Sequence, residues 1–386
     1  MKKILIISGN NHLFTSGADM YTNRVIQILQ KENCLIDEYS FEFNMTAKDL
    51  EKKDDIKIIT PNKKFNDCQK SKLKWWFKNA YNVAYRSRRQ LNKLIDEYDL
   101  VIDASLMLVR SKKLFNSDKY LYVQHQSSDF FEMKRYGFWT PLAVFLIWLT
   151  GFKNCFKLAN NILFFDENNR NYVVNKFKTK KEKRYFTILN TNTTRETIEK
   201  NKKLKDEIYS NNSFQRNVIY IGRVTTEQKR MNDVNKMMKK SSNKLDVYGF
   251  GTYVKKIVKN KNIIFHGKVS HDEVLDINLH SKISLLLSNY EGFSTSLVES
   301  ICSMTPIIIR NSHISASFLA DNNKNGFLWD NKFNVEEYAQ QFDEINNLSN
   351  EKLQELSNNC YEFAIKHLTY ETFEEKWLNL YKEITK

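Results

Sequence analysis

The sequence predicts an α/β protein built from two doubly wound parallel sheets, and three observations carry this prediction. Short apolar runs alternate with longer amphipathic segments almost from end to end, which is the pattern of repeated strand–helix–strand units. The 386 residues exceed the roughly 150 residues of a typical domain about two and a half times, so two domains are expected. A polar stretch rich in Asn, Thr and Lys divides the pattern near its middle.

The apolar runs place the elements in order. In the first half they predict strands at 3–8, 35–41, 56–60, 100–104, 120–124, 162–165 and 186–189. The stretch 190–216 is predicted to be a linker with a short helix over 197–208. In the second half we predict strands at 218–221, 245–248, 263–265, 283–287 and 307–309, and closing helices at 335–347, 350–367 and 370–384.

Composition indicates a folded globular chain. Hydrophobic residues make up 41%, and there are only 3 prolines and 10 glycines, which excludes disordered and collagen-like classes. The five cysteines are isolated, so neither a disulfide framework nor a zinc site is expected, and a reducing compartment fits best. The longest apolar stretch, 138–152, contains Pro141 and is shorter than the roughly 20 residues that cross a bilayer. We therefore expect no transmembrane helix.

The net charge of +15 is concentrated in the first half. Residues 1–190 hold 33 Lys and Arg against 20 Asp and Glu, whereas residues 191–386 hold 27 against 25. This asymmetry predicts an acidic partner for the first half. The basic aromatic segment 70–78 suits an anionic membrane surface, and the alternative is a solvated helix face with buried tryptophans. Nucleic acid is disfavoured because no recognised nucleic-acid module accompanies the charge. The predicted membrane contacts are Lys72, Lys74, Trp75, Trp76 and Lys78.

Several glycines follow predicted strands, where a backbone can approach a ligand or take a positive φ. Tight turns alone are the alternative explanation. None of these glycines forms a G-x-G-x-x-G or G-x-x-x-x-G-K-[ST] pattern, so a dinucleotide enzyme or a P-loop protein lacks its fingerprint. The glycines concerned are Gly17, Gly222, Gly249, Gly251, Gly267 and Gly292.

The most specific stretch is N-Y-E-G-F-S-T-S-L-V-E at 289–299. It predicts that Glu291 ends a strand, that Gly292 forms a turn, that hydroxyl residues cap a helix, and that Glu299 lies in its first turns. Free N–H groups at a helix start suit phosphate, and carboxylates suit sugar hydroxyls. The alternative for Glu299 is a capping or solvent-facing role.

These motifs resemble the nucleotide-sugar glycosyltransferases of family 4. The resemblance lies in the spacing of Glu291 and Glu299 and in Ile221-Gly222-Arg223 with Lys229. It extends over nearly the whole chain, through Gly17, His125 after Tyr122-Val123-Gln124, the 188–190 entry to the linker, and Gly249-Phe250-Gly251. It implies two Rossmann-like domains facing across a cleft, the GT-B fold.

The resemblance also implies domain roles. We predict an acceptor-side and membrane-side domain at 1–190, a linker region at 191–216, a donor-binding domain at 217–367, and a C-terminal helix at 368–386 that returns to the first domain. Among the residues, Arg223 and Lys229 would bind the donor diphosphate, because fixed cations stabilise a departing phosphate most in the transition state. Glu299 would hold the ribose hydroxyls and Glu291 the transferred sugar.

The remaining implied contacts are less direct. His125 would lie at the sugar-binding cleft, although a packed and hydrogen-bonded histidine is the alternative. Gly17 would let the first loop approach the donor. Backbone N–H groups of Phe293, Ser294 and Thr295 would meet the sugar or phosphate.

The sequence departs from the family pattern in places that leave the donor sugar open. Ser294-Thr295 and the stretch 300–306 replace the usual residues after E-G-F and the usual A-M-A-x-G-x-P. No D-x-D and no histidine metal spacing occur, so neither a metal nor a cofactor is predicted.

We therefore predict a retaining, metal-independent glycosyltransferase that moves a sugar from a nucleoside-diphosphate donor, UDP preferred, to a hydroxyl of a cell-surface glycan precursor, forming an α-glycosidic bond. It is predicted to be cytoplasmic and peripheral on the inner face of the cell membrane. The alternative is a non-catalytic partner subunit or binding protein of the same fold. Such a protein would be expected to lose Arg223, Lys229 or a glutamate, and the chain keeps them all.

Overall fold

The computed structural model describes residues 1–9, 17–41, 56–60, 82–105, 109, 111–125, 151–178, 182–321 and 324–386. These residues form two compact units. One unit takes the described residues up to Ile188 together with Glu374–Lys386, and the other takes Leu189–Phe373. Each unit contains one parallel sheet with helices, as the alternation of apolar runs and amphipathic segments predicted.

The first unit has a seven-stranded sheet with the order β3-β2-β1-β4-β5-β6-β7. Its inner strands are nearly continuous apolar runs because helices cover both faces of such a sheet. The strands are β1 (Lys3–Ser8), β2 (Leu35–Ser40), β3 (Lys57–Ile59), β4 (Leu100–Asp103), β5 (Tyr120–Gln124), β6 (Asn161–Phe164) and β7 (Arg184–Thr187). The described helices are α1 (Gly17–Lys31), α2 (Asn82–Leu94), α3 (Lys112–Phe115), α4 (Lys153–Leu158) and α5 (Glu167–Lys176), with a 3-10 turn at Ile95–Glu97.

The second unit has a six-stranded sheet with the order β10-β9-β8-β11-β12-β13. The strands are β8 (Arg216–Ile221), β9 (Leu245–Tyr248), β10 (Ile263–Gly267), β11 (Ser281–Leu286), β12 (Ile307–Arg310) and β13 (Gly326–Trp329). The helices are α6 (Arg195–Asn211), α7 (Met231–Met238), α8 (Val254–Ile257), α9 (His271–Leu279), α10 (Thr295–Cys302), α11 (Ala316–Leu319), α12 (Val335–Asn346) and α13 (Asn350–His367). The boundary between the units falls inside the last helix, α14 (Tyr370–Ile384).

Each sheet has one point at which the strand order reverses. In the first unit β1 pairs with both β2 and β4, and in the second β8 pairs with both β9 and β11. Ligands of open α/β sheets bind beyond the carboxyl ends of the strands at such a switch point. In the second unit those ends are Ile221 and Leu286, so the loop of Arg223 and the loop of Glu291 come together.

The structure differs from the sequence prediction at several elements. Strand β13 was not predicted, because its short Gly-Phe-Leu-Trp run follows a polar stretch. Helix α6 covers Arg195–Asn211, is longer than the predicted 197–208, and lies in the second unit. Strand β7 begins and ends two positions before the predicted 186–189, because Arg184 already pairs with Asn161.

The described residues bear on one of the two membrane-related predictions. No helix in the described ranges is long and apolar enough to cross a membrane. The residues predicted to contact a membrane surface, Lys72, Lys74, Trp75, Trp76 and Lys78, lie outside the described residues. The prediction of a membrane contact therefore rests on the sequence alone.

Candidate active site

A buried ion pair stands at the switch point of the second sheet. Lys229 Nζ lies 2.6 Å from Glu291 Oε1, and the two side chains are only 10% and 9% exposed. The Asn289 amide donates to the Gln228 carbonyl at 2.8 Å, which joins the two loops beside the pair. Glu291 lies in the loop after β11, which ends at Leu286, and not at the strand end as predicted. Strand order thus brings together two residues that the sequence separates widely.

Burial and ion pairing act on Glu291 in opposite directions. Burial raises the pKa of the Glu291 carboxyl, whereas the charge and hydrogen bond of Lys229 lower it, and the net pKa lies below the ordinary value. The carboxylate is therefore ionised at neutral pH. A buried ion pair recovers its desolvation cost only with good geometry, so it is weak evidence for stability. Here it holds two opposite charges, out of water, at the edge where ligands bind.

Arg223 lies on the same loop pair but is exposed. Its guanidinium donates to Gln228 Oε1, and Gln228 Nε2 lies 3.4 Å from the carbonyl of Tyr290. The Tyr220 hydroxyl donates to the Arg223 carbonyl at 2.7 Å, which fixes the backbone at this position. The loop is thus anchored, while the charged end of Arg223 stays in contact with solvent.

Helix α10 begins just after the loop of Glu291. Ser294 occupies its N-cap position with an extended backbone, but its side chain makes no capping hydrogen bond. Its Oγ lies instead 3.3 Å from Ser296 Oγ, so the predicted hydroxyl cap is wrong. A helix start without a side-chain cap keeps N–H groups that can receive an anion. Phe293 and Ser294 are buried here, and Gly292 and Thr295 are half-buried.

Glu299 is a buried residue of α10. Its Oε1 lies 3.6 Å from Nδ1 of His271, the first residue of α9. The solvent-facing alternative for Glu299 therefore does not hold. His271 was not singled out by any motif, and only its position after β10, at the carboxyl edge of the sheet, would have pointed to it.

Two of the predicted donor-binding glycines are required by backbone packing. A Cβ at Gly249 would lie 1.9 Å from the carbonyl oxygen of Gly222, and a Cβ at Gly251 would lie 2.3 Å from that of Val224. The Val224 amide donates to the Phe250 carbonyl at 2.7 Å, so the loops after β8 and β9 are in direct contact. This contact explains why both positions are glycine.

His125 and Gly17 lie in the first unit. The His125 ring packs edge-on against Tyr21 and Phe165, with ring centroids 5.1 Å away in each case. Burial lowers the pKa of His125 to about 3, so its imidazole is neutral at pH 7. Gly17 begins α1, and a Cβ there would meet no described atom within 4 Å.

One further buried side chain supports the site. Arg310, at the end of β12, donates to Asn289 Oδ1 at 3.1 Å and to the carbonyl of Asn331. It therefore braces the loop that carries Glu291. In the ranges that the structure covers, no three His, Cys, Asp or Glu side chains are grouped so that they would hold a metal ion.

Solved structures share this architecture over the whole chain. Sucrose-phosphate synthase from Thermosynechococcus elongatus gives a TM-score of 0.74 at 13% identity, covering 100% of this chain and 99% of that one. A mutant form of TarM from Staphylococcus aureus gives 0.67 at 15% identity, and HepE from Anabaena with UDP-glucose gives 0.65 at 14%. Each of these two matches covers 99% of this chain and 100% of the other. The GT-B fold implied by the resemblance is confirmed.

Sequence comparison identifies the family. Residues 201–367 match the family model for group 1 glycosyl transferases. The poly(ribitol-phosphate) alpha-N-acetylglucosaminyltransferase of Staphylococcus aureus (strain COL) is 28% identical over 147 residues, which are 36% of this chain and 29% of that protein. The match thus spans less than a third of that relative. The region 201–367 therefore matches the group 1 glycosyl transferases, in agreement with the resemblance of the motifs to family 4.

Proposed function

We propose that the chain is a retaining glycosyltransferase that moves a sugar from a nucleoside-diphosphate donor, UDP preferred, to a hydroxyl of a cell-surface glycan precursor, forming an α-glycosidic bond. The observation that carries the proposal is the buried Lys229–Glu291 pair, 2.6 Å apart at the switch point of the second sheet. A nucleotide sugar presents an anionic diphosphate beside a set of hydroxyls. An ammonium and a carboxylate held side by side suit these two halves of one molecule.

The phosphate side of the proposed site is cationic. Lys229 supplies a fixed ammonium, Arg223 supplies a guanidinium from the adjoining loop, and the start of α10 adds N–H groups and the positive end of a helix dipole. The departing diphosphate gathers negative charge as the glycosidic bond breaks. These groups therefore stabilise the transition state more than the bound donor, which is what accelerates the reaction.

The sugar side of the proposed site consists of carboxylates that accept hydrogen bonds. Glu291 is ionised because Lys229 outweighs the effect of burial on its pKa, so its oxygens accept from sugar hydroxyls. Glu299 accepts from the ribose hydroxyls in the same way. In the proposed mechanism the acceptor hydroxyl attacks the front face of the sugar and passes its proton to the leaving phosphate, so no protein base is needed.

The similar proteins support the donor and the linkage. The S. aureus relative is named for the transfer of alpha-N-acetylglucosamine to poly(ribitol-phosphate). The TarM structure was solved with UDP and alpha-GlcNAc-glycerol, and a HepE structure with UDP-glucose. These names favour a UDP-sugar donor and an α product for this chain, and they favour a glycan or polyol-phosphate precursor as acceptor.

A hydrolysis screen without acceptor tests the proposal. The purified chain is incubated with UDP-, GDP- and ADP-sugars, and release of nucleoside diphosphate is followed. We expect slow release from one nucleotide class, abolished by Lys229→Ala and unchanged by Lys256→Ala, which alters an exposed lysine of the same unit. EDTA should leave the rate unchanged. No release from any donor would favour the non-catalytic partner subunit instead.

We also propose that segment 70–78 holds the enzyme against the anionic inner face of the cell membrane. Near an anionic surface each Lys contributes about 1 kcal/mol, and Trp75 and Trp76 add interfacial burial. Replacing the segment's lysines with Gln should weaken flotation with anionic liposomes at low salt and leave donor hydrolysis intact. Equal binding to neutral and anionic liposomes, or no loss in the variant, would contradict the proposal. The lysines replaced are Lys70, Lys72, Lys74 and Lys78.

A further inference from the structure

Asn289 links three neighbouring elements at the carboxyl edge of the second sheet. It lies in the loop after β11, whose neighbours in the sheet are β8 and β12. Its side-chain Nδ2 donates to the carbonyl of Glu227, in the loop after β8, at 2.9 Å. Its Oδ1 accepts from the guanidinium of Arg310, at the end of β12, at 3.1 Å. One side chain therefore joins its own loop to the elements on both sides.

These partners determine the orientation of the Asn289 amide. A carbonyl oxygen only accepts hydrogen bonds and a guanidinium only donates them, so Nδ2 faces Glu227 and Oδ1 faces Arg310. An amide turned by half a rotation would lose both bonds. The link therefore needs a side chain with a donor and an acceptor on separate atoms.

The backbone of Asn289 adds a second bond to the loop after β8. Its amide donates to the carbonyl of Gln228 at 2.8 Å. Glu227 and Gln228 directly precede Lys229 in the sequence. Asn289 stands two residues before Glu291. The side-chain and backbone bonds of Asn289 therefore set the separation of the two segments that carry the buried ion pair.

The ion pair does not set that separation by itself. A lysine side chain is a flexible four-carbon stem, so its ammonium can reach a carboxylate from a range of backbone distances. The contact of 2.6 Å between Lys229 Nζ and Glu291 Oε1 would therefore survive a small shift of either loop. Such a shift would instead move both groups relative to a bound ligand, and a displacement of about 1 Å can lower a rate about 100-fold.

Arg310 anchors the link to the sheet. It is the last residue of β12, which pairs with β11 on one side and with β13 on the other. Its side chain is buried, and its Nε also donates to the carbonyl of Asn331 at 3.1 Å. Hydrogen bonds from a charged donor are stronger than those between neutral groups. Asn289 is thus held from a strand, and the loop of Lys229 is held through Asn289.

We propose that Asn289 is a positioning residue that sets the distance between the loop of Lys229 and the loop of Glu291. The proposal rests on the proposed function, because it takes these two residues as the groups that bind the phosphate and the sugar of the donor. It assigns Asn289 an effect on turnover of the intact sugar donor. It assigns no effect on binding of the free nucleotide, which has no sugar to place against Glu291.

Donor hydrolysis and calorimetry with Asn289→Ala test this assignment. With UDP-N-acetylglucosamine as the donor, kcat should fall about 10- to 100-fold, the scale of a misplaced reacting group. The affinity for free UDP should stay within about twofold of the unaltered chain. Asn289→Ser should show the same pattern, because one hydroxyl cannot replace both atoms of the amide. Asn289 is half-buried, so both variants are expected to fold.

A matched control lies at the opposite edge of the same sheet. Asn262 directly precedes β10, and its Nδ2 donates to the carbonyls of Met238 and Ser241 at 2.9 and 2.8 Å. Asn262→Ala therefore also removes two side-chain hydrogen bonds, but far along the strands from the carboxyl edge. We expect thermal denaturation to show comparable losses of Tm in Asn262→Ala and Asn289→Ala. Only Asn289→Ala should lose turnover.

Four outcomes would overturn the proposal. Unchanged kcat in Asn289→Ala, with a loss in Lys229→Ala, would reject the positioning role and leave the proposed function intact. Equal losses of kcat in Asn289→Ala and Asn262→Ala would mean that the effect is one of stability alone. A loss of UDP affinity as large as the loss of kcat would mean that Asn289 acts on phosphate binding. No release of nucleoside diphosphate from any UDP-, GDP- or ADP-sugar by the unaltered chain would overturn the proposed function as well.

Discussion

The two sheets share the order of their first six strands but differ in the charges beside the carboxyl ends of those strands. In the second unit Lys229 and Glu291 are paired at 2.6 Å; burial raises the pKa of the Glu291 carboxyl, but Lys229 lowers it below the ordinary value. At the ends of β4 and β5 in the first unit, burial opposes charge instead: it raises the pKa of Asp103 and lowers that of His125 to about 3. The fold therefore decides where a site lies, and the loop residues decide which chemistry that site can perform.

Removing the Lys229 side chain tests the ion pair of the second unit and should have the largest effect. Lys229→Ala should lower kcat/KM by roughly 10²–10³, the scale of one lost charge-stabilising group. It should also lower the free energy of unfolding by about 3 kcal/mol, because Glu291 is left buried without its partner. Arg223→Ala should cause a similar loss of activity with little loss of stability, since Arg223 is exposed. Kinetics and urea unfolding check both, and near-normal turnover in either variant would remove that residue from the role.

Glycines of the two units should respond in opposite ways to alanine. Gly249→Ala places a Cβ 1.9 Å from a backbone oxygen and should lower the free energy of unfolding by about 3 kcal/mol. A Cβ at Gly17 would meet no described atom within 4 Å, so Gly17→Ala should leave the free energy of unfolding unchanged. Activity should nevertheless fall in Gly17→Ala if the first loop approaches the donor. Thermal denaturation with donor hydrolysis decides this, and comparable losses of Tm in the two variants would count against the packing explanation.

The two glutamates of the second unit should separate nucleotide binding from sugar binding. Glu299→Gln should weaken binding of free UDP by about 1–3 kcal/mol, the scale of a charge-assisted hydrogen bond. Glu291→Gln should spare free UDP, because Lys229 loses its competing partner and remains available to phosphate, but it should impair use of the sugar donor. Calorimetry with UDP and kinetics with the donor make the distinction. Equal losses of UDP affinity in both variants would overturn the assignment.

The smallest expected effect is a difference in the pH dependence of stability. The folded-state pKa of His125 lies below its ordinary 6.5, so the unfolded chain binds more protons and stability falls as the pH drops from 6.5 toward 3. The pKa of Glu291 also lies below its ordinary 4.5, so its contribution is present above pH 4.5 and is lost below it. His125→Asn should flatten the fall of Tm between pH 6.5 and 4.5, whereas Glu291→Gln should lower Tm above pH 4.5 and flatten its fall below that pH. The same pH dependence of Tm in both variants would contradict the pKa shifts of His125 and Glu291.

The sequence predicted the strands well for a physical reason, and the exceptions have physical causes too. Buried strands of parallel sheets are continuous apolar runs, so β1, β5 and β9 begin and end where predicted. Helix α6 extends past the predicted 197–208 at both ends, where Arg195, Glu196, Ser210 and Asn211 add no apolar signal. Strand β13 begins at Gly326, a residue type that gives no strand signal in the sequence. Glycine is needed there because the backbone of Ile307 lies against it.

The site was predictable in its residue types but not in its geometry. Motifs pointed to Lys229 and Glu291 separately, and their contact depends on β8 and β11 being neighbours, which local patterns do not reveal. The strand-order rule for doubly wound sheets would have predicted the contact. The failed cap at Ser294 depends on a side-chain rotamer, and the contact of His271 depends on two separate segments. Neither leaves a mark in the sequence.

The Lys205 side chain ties helix α6 to the segments around β11. It therefore limits where the second unit can be divided when segments are exchanged between related proteins. Lys205 Nζ donates to the carbonyls of Leu279 and Ser281 at 2.8 and 2.6 Å and to the Thr305 hydroxyl at 3.0 Å. These oxygens are buried beneath α6, so a helix from another parent that lacks this lysine would leave them buried without a donor, at a cost of about 1–3 kcal/mol for each unsatisfied group. A chimera should therefore take α6 from the same parent as the sheet that it covers.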